Sequence, residues 1–400
     1  MARVFILMMD SFGIGGALDA EKFGDEGADT FGHIVDRFAN LQIPNLVKLG
    51  LVEVANKASK SDRKISSNGA KMTFEAKYGH CMEKSLAKDT SSGHWELAGV
   101  TINEPWGYFK KDYPSFPKEL IDKICKKTGL SSILGNKAAS GTEIIKELGE
   151  EHIKTGLPIC YTSADSCFQV AAHEKYFGLQ KLYDFCEAAF EELTSYRIAR
   201  VIARPFVGET SADFVRTKNR HDYSVKPPRD TLLDVAKNSG KKVIGIGKIS
   251  DIYAGCGISE KVLASGLEEL WNKTLEKGKS APEGSIVFTN FVDFDMLYGH
   301  RRDVEGYAKA LEYFDSRLPE IEKIMKDDDV AFVVADHGND PTYKGTDHTR
   351  EQIPVLVFGR KIKSGYLGMR NGFADVGQTI AEILGLELQE GVSFFEGLFE

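Results

Sequence analysis

The sequence predicts an α/β fold: a doubly wound, mostly parallel sheet core interrupted by a smaller inserted α+β domain. Three observations predict it. Short apolar, β-branched runs end in polar or glycine-containing segments, helix-like stretches lie between them, and in the middle of the chain this alternation stops. The runs are continuous rather than alternating, as strands covered on both faces require.

The first strand is Val4–Met9, VFILMM, which ends at Asp10, and Pro44–Leu51 reads as a helix. Residues 102–220 open with the proline- and aromatic-rich NEPWGYFKKDYPSFP and close with the basic RIARVIARPFVGETSADFVRTKNRHDY. Within them, Cys160–Ala172 and Leu179–Tyr196 read as a strand or turn followed by a helix. After Pro227-Pro228 the alternation resumes with helix Thr231–Ser239, strand Lys242–Ile246, helix Ser259–Lys273 and strand Ser285–Val292. Helix Val304–Lys326, strands Val330–Val334 and Pro354–Phe358, and helix Ala374–Leu384 complete it. We therefore expect a core domain discontinuous in sequence, residues 1–101 and 221–400, with residues 102–220 inserted.

Composition narrows the function classes. Of 400 residues, 42% are hydrophobic and 28% charged, proportions that support a sizeable buried core. A net charge of −8 and a pI near 5.7 give no footprint for sequence-independent nucleic-acid binding. VFILMM is too short for a signal-peptide core and far too short to span a bilayer, so no membrane association is expected. The six cysteines, at 81, 125, 160, 167, 186 and 256, form no CxxC pair and no zinc-ribbon spacing. They read as free thiols in a reducing compartment, the cytoplasm.

Acids and histidines sit directly after the strands. Asp10 follows the first. Asp293 and Asp295 follow SIVFTNFV, with His300 close behind, and Asp336-His337 follow VAFVV. His348 lies on the loop before PVLVF. Ligands of an open parallel sheet bind beyond the carboxyl ends of its strands. Each residue alone reads as a turn, cap or surface group. Together, Asp10, Asp295, His300, Asp336, His337 and His348 point to a shared metal site. Carboxylate and imidazole without thiolate suit Mn²⁺, Zn²⁺ or Fe²⁺. Six ligands exceed one tetrahedral ion and match two ions about 3.5–4 Å apart. Two divalent ions against three carboxylates leave a net positive site, which attracts a phosphate dianion.

Other motifs are set aside. SFGIGG (Ser11–Gly16) lacks the GxGxxG spacing, and GIGKIS (Gly245–Ser250) has Ile249 where a P-loop needs Ser or Thr. The basic run between Arg197 and Arg229 reads equally as a solvated face or as a phosphate clamp. By itself AKDTSSGHWE (Ala87–Glu96) reads as a hydroxyl-rich turn opening a helix, whose N–H groups would favour an anion.

Taken together, MMDSFGIGGALDAEKFGDEGADTFGHI, KDTSSGHWELAGV, YTSADS, RPFVG, NRHDY, GIGKISDIYAG, VDFDMLYGHRRDVEGY and ADHGNDPTYKGTDHTRE resemble the phosphopentomutase family. That family belongs to the alkaline-phosphatase-like metalloenzymes. The resemblance runs from the N-terminus to near the C-terminus, with Ser91 and Ser92 standing where the family usually has threonines. It implies two Mn²⁺ per chain, other divalent ions being possible: one on Asp10, Asp336 and His337, the other on Asp295, His300 and His348. Thr90 would accept the phosphoryl group, and the inserted segment would be the family's cap domain. Ser163, Asp165, Arg204, Arg216 and Lys248 would bind substrate. The activity implied is interconversion of ribose 1-phosphate, or 2-deoxyribose 1-phosphate, with the 5-phosphate. It would run through a phosphothreonine and a sugar 1,5-bisphosphate, with a sugar bisphosphate as activator. The small-molecule ligand would be a pentose phosphate and the chain a monomer. Alternatives within the superfamily are a metal-dependent phosphomonoesterase and an enzyme like the cofactor-independent phosphoglycerate mutases.

Overall fold

The computed structural model describes residues 2–163 and 166–399. The chain divides into two compact units, 1–105 with 226–400, and 106–225. The second unit extends to residue 225 because His221–Ser224 is a strand paired antiparallel with Arg200–Val207 in the second sheet.

In the first unit an eight-stranded sheet runs in the order Glu260–Val262, Val243–Ile246, Ile286–Asn290, Val4–Met8, Val330–Val334, Ile353–Phe358, Ala76–Cys81, Gly365–Arg370. Pairing is parallel except on either side of Ile353–Phe358, which is antiparallel to both neighbours. The central strands are buried along their whole length, which explains their unbroken apolar runs. Ala76–Cys81 (AKYGHC) and Gly365–Arg370 (GYLGMR) carry no such run, and nothing in the sequence marks them as strands.

Two expected helices are redrawn by glycines. The expected Ser259–Lys273 helix is a short strand, Glu260–Val262, paired with Ile244–Ile246, and then a helix over Leu267–Ser280. Gly266, at φ 84°, makes the break. Likewise Pro44–Leu51 divides into Pro44–Lys48 and Leu51–Ser59 at Gly50, at φ 92°.

Helix Val304–Ile324 contains Pro319, whose missing N–H leaves the Asp315 carbonyl without its helical donor. The Asn45 amide supplies one instead, Nδ2 to Asp315 O at 3.1 Å. The Asp315 carboxylate accepts from Leu46 N at 2.7 Å and from Asn45 Nδ2 at 2.9 Å, and burial pushes its pKa up to about 6. A helix break and a buried acid thus satisfy each other.

The second unit has its own sheet, in the order Leu134–Ala138, Ile159–Thr162, Cys167–His173, Arg200–Val207, Val215–Arg216. Side-chain alternation along Cys167–His173 builds a core on each face. Phe168, Val170 and Ala172 pack with Leu120, Ile124, Leu182 and Phe185 of helices Lys118–Thr128 and Leu179–Leu193. Ala171 packs with Ile144 and Ile145 of helix Gly141–Thr155 and with Phe206.

The amino ends of the two central strands of the first unit are locked by a buried ion pair. Arg3 donates from N and Nε to Asp329 at 3.0 Å each, and from Nη1 to Gly278 O and Nη2 to Ile324 O. Both residues are almost wholly buried. Arg3→Ala strands the Asp329 charge, so urea unfolding is expected to lose about 3–5 kcal/mol. A loss below 1 kcal/mol would contradict this.

Candidate metal centre

Three neighbouring parallel strands deliver the cluster. Ile286–Asn290, Val4–Met8 and Val330–Val334 are adjacent, and their carboxyl ends lead to Asp295 and His300, to Asp10, and to Asp336 and His337. His348 arrives from the other direction. The strand after it is antiparallel, so the preceding loop lies at the same sheet edge, held by backbone bonds between Gly338 and Thr349 of 3.1 and 2.9 Å. All six expected residues come together here.

Two sets converge to within 4.8 Å: Asp10, Asp336 and His337, and Asp295, His337 and His348. His300 adjoins the second set, its Nε2 being 3.1 Å from Asp295 Oδ2 and 3.2 Å from His348 Nε2. His337 Nε2 is 3.2 Å from Asp336 Oδ2 and 3.5 Å from Asp10 Oδ1. Ring orientation is fixed from behind. His300 Nδ1 donates to Thr346 O at 2.7 Å and His337 Nδ1 to Gly338 O at 3.0 Å, turning both Nε2 atoms inward.

The donor set fits divalent cations. Asp10 Oδ1 and Asp336 Oδ2 are buried and accept no aligned hydrogen bond, although each carboxylate's other oxygen is satisfied, by Asn290 Nδ2 at 2.9 Å and Ser11 N at 3.0 Å. Burial, then Asp336 and Asp295, push the Asp10 carboxyl well above the usual range. Burial opposes ionisation of Asp336 too, but His337 and His94 outweigh it and hold that carboxyl far down. For Asp295, His348 and His300 likewise outweigh burial. One carboxyl is pushed up while its neighbours are held down, the mark of crowded like charges.

Thr90 opens the helix Thr90–Leu97, with Oγ1 3.2 Å from His337 Nε2. Two of the helix's first N–H groups are taken up by its own cap, Asp89 accepting from Ser91 N at 3.0 Å and Ser92 N at 3.3 Å. His94, wholly buried, reaches Thr90 O at 2.9 Å and Asp336 Oδ2 at 3.1 Å, bridging the helix to the cluster. Arg350, two residues past His348, binds Glu83 Oε2 at 2.7 Å, Glu83 O, Ser85 O and Ala87 O. It ties the loop leading into Thr90 to the segment carrying His348.

The expected substrate groups are distributed over both units. Lys248, in the first, is half-exposed and 3.8 Å from Asp251. In the second, Arg204 Nε donates to Gln169 Oε1 at 2.6 Å, and Ser163 Oγ lies 3.2 Å from Cys167 Sγ. Arg216, opposite Phe206 in the sheet, has its guanidinium against Gly141, where a Cβ would sit 1.8 Å from Nη2. Asp165 lies outside the described residues.

Gly93 is required by close approach, since a Cβ there would lie 2.0 Å from the Asp336 carbonyl oxygen. In an ordinary helix Gly→Ala stabilises by about 1 kcal/mol. Here Gly93→Ala is expected to destabilise by about 1–3 kcal/mol in denaturant unfolding, through overpacking. A stabilised variant would show that the helix is not seated on Asp336.

Comparison with known proteins agrees with the centre. The metalloenzyme superfamily model matches residues 2–388. The phosphopentomutase of Elusimicrobium minutum (strain Pei191) is 61% identical over 398 residues, 98% of this chain and 100% of the relative. That of Aeromonas salmonicida (strain A449) is 56% identical over 405 residues, again 98% and 100%. A third, from Shewanella woodyi (strain ATCC 51908 / MS32), is 56% identical over 407 residues, 99% and 100%. Identity at this level over the full length of each relative establishes that the chain belongs to the phosphopentomutase family, isomerases of the metalloenzyme superfamily.

Proposed function

We propose that this chain interconverts ribose 1-phosphate or 2-deoxyribose 1-phosphate with the 5-phosphate, using Thr90 as the phosphoryl carrier. The observation that supports it most is the placement of Thr90 Oγ1, 3.2 Å from His337 Nε2 at a cluster of three carboxylates and three histidines of which all but His300 are buried.

Asp10, Asp336 and His337 would hold one Mn²⁺, and Asp295, His300 and His348 the other. Such ions, when bound, supply the positive charge that activates a hydroxyl and steadies the entering and leaving oxygens. The residues do the rest. Asp89 caps the helix and His94 anchors its first turn, so Thr90 Oγ1 is held in place before substrate arrives. Phosphorylated Thr90 gives its phosphoryl group to the free hydroxyl of the sugar monophosphate, leaving a sugar 1,5-bisphosphate. The bisphosphate turns end for end, and the Thr90 hydroxyl takes back the other phosphoryl group. A sugar bisphosphate would prime the cycle.

Residues 106–225 would form the cap. Ser163, Asp165, Arg204 and Arg216, together with Lys248, would hold the distal phosphate and the sugar. A mutase needs them more than a phosphatase does, because the bisphosphate must be held while it turns and water must be kept from the phosphothreonine before and after.

Two measurements test this. Asp10→Asn removes one of three crowded carboxylates, so the metal-free variant is expected to melt higher than the metal-free wild type. Each ion should stabilise the wild type by about 2.7 kcal/mol at a hundred times its Kd, and the variant should lose most of one ion's share. An unchanged gain would remove Asp10 from the ligand set. With Mn²⁺, a trace of sugar bisphosphate and ribose 5-phosphate, the wild type should form ribose 1-phosphate with little free phosphate. Thr90→Ala should lower that turnover by at least 10³-fold while keeping its metal. Steady phosphate release without isomerisation would identify a phosphomonoesterase instead.

A further inference from the structure

We propose that Arg302 is the positioning residue for the Asp295–His300–His348 half of the centre and sets that half's affinity for a divalent ion separately from the Asp10–Asp336–His337 half. The inference rests on the ligand assignment proposed above.

One guanidinium gathers every segment of that half. Nη1 donates to Gly299 O, next to His300, at 2.9 Å. Nε donates to Gly345 O at 2.7 Å and Nη2 to Asp347 O at 3.0 Å, on the loop that carries His348. Nη1 also donates to Asn339 Oδ1, and Asn339 Nδ2 in turn donates to Asp295 Oδ1 at 2.7 Å. The His300 ring is turned by Thr346 O, within the stretch that Arg302 braces. All three ligands of this half are therefore positioned through one side chain, and none of its hydrogen bonds goes to Asp10, Asp336 or His337.

One feature of Arg302 indicates that the arrangement is specific to arginine. Its bonds use the planar fork in several directions at once, which an ammonium on a flexible stem cannot reproduce. Arg301, the adjacent residue, is exposed and provides a charge-matched control.

The test is a calorimetric titration of the metal-free full-length protein with Mn²⁺, with thermal unfolding of each variant alongside. Wild type and Arg301→Ala should bind two ions. Arg302→Ala should keep one ion at wild-type affinity and bind the other ten- to a hundredfold more weakly. The weakened ion should be the one lost in Asp295→Asn. Should Arg302→Ala fail to fold, Arg302→Lys and Asn339→Ala carry the same expectation. Unchanged affinity for both ions, or equal weakening of both, would overturn the inference. If the wild type itself binds fewer than two ions, the ligand assignment fails, and the inference with it.

Discussion

Three carboxylates, Asp10, Asp295 and Asp336, are buried at the ends of strands that lie side by side, and the centre is organised around their repulsion. Asp10 and Asp336 offer oxygens within 4.8 Å of each other, where two such charges would repel by a few kcal/mol even at an effective dielectric of about 20. The fold cannot move them apart, because parallel pairing fixes the register of the strands that carry them. Histidines therefore surround them, the Asp10 carboxyl is pushed up, and two buried oxygens are left with no aligned donor. Cations resolve all three conditions together. The same geometry brings Thr90 to the cluster, because only a glycine at position 93 lets its helix approach the Asp336 backbone.

How much of this was legible in the sequence depends on how locally each feature is encoded. The buried central strands announce themselves as apolar runs, and the six acidic and imidazole residues were found because each directly follows or precedes such a run. The strands Ala76–Cys81 and Gly365–Arg370, the last two of the sheet on that side, were not legible, being half polar and held by pairing rather than composition. Where Gly50 and Gly266 interrupt an apolar pattern, propensity alone extended a helix through a left-handed glycine. The groups that orient the ligands were the least visible. Asn290 meets Asp10, Asn339 meets Asp295 and Arg350 meets Glu83 across long stretches of chain, and no spacing rule marks these contacts. The role of Thr90 came from family resemblance, since its own neighbourhood reads as an ordinary capped turn. Asp89 does cap that turn, and in doing so takes up two of its N–H groups.

Membership of a family of isomerases, with the phosphothreonine route proposed above, poses a chemical problem that a phosphatase does not face: the phosphoryl group would have to wait on the protein without meeting water. The first unit's contribution is rigidity. Asp89, His94, Gly93 and Arg350 each fix a different part of the path between the Thr90 loop and the ligand loops. Arg302 plays the corresponding part for the far half of the centre, so the two halves are braced by different side chains.

The central claim is that Thr90 itself carries the phosphoryl group. Intact-mass measurement with peptide mapping, after incubation of the Mn²⁺-loaded protein with a sugar bisphosphate, tests it most directly. The account predicts a single added phosphoryl group on the peptide containing Thr90, placed on Thr90 and discharged by pentose monophosphate. A phosphoryl group on Ser91 or Ser92, or continued isomerisation with no phosphorylated protein, would contradict it.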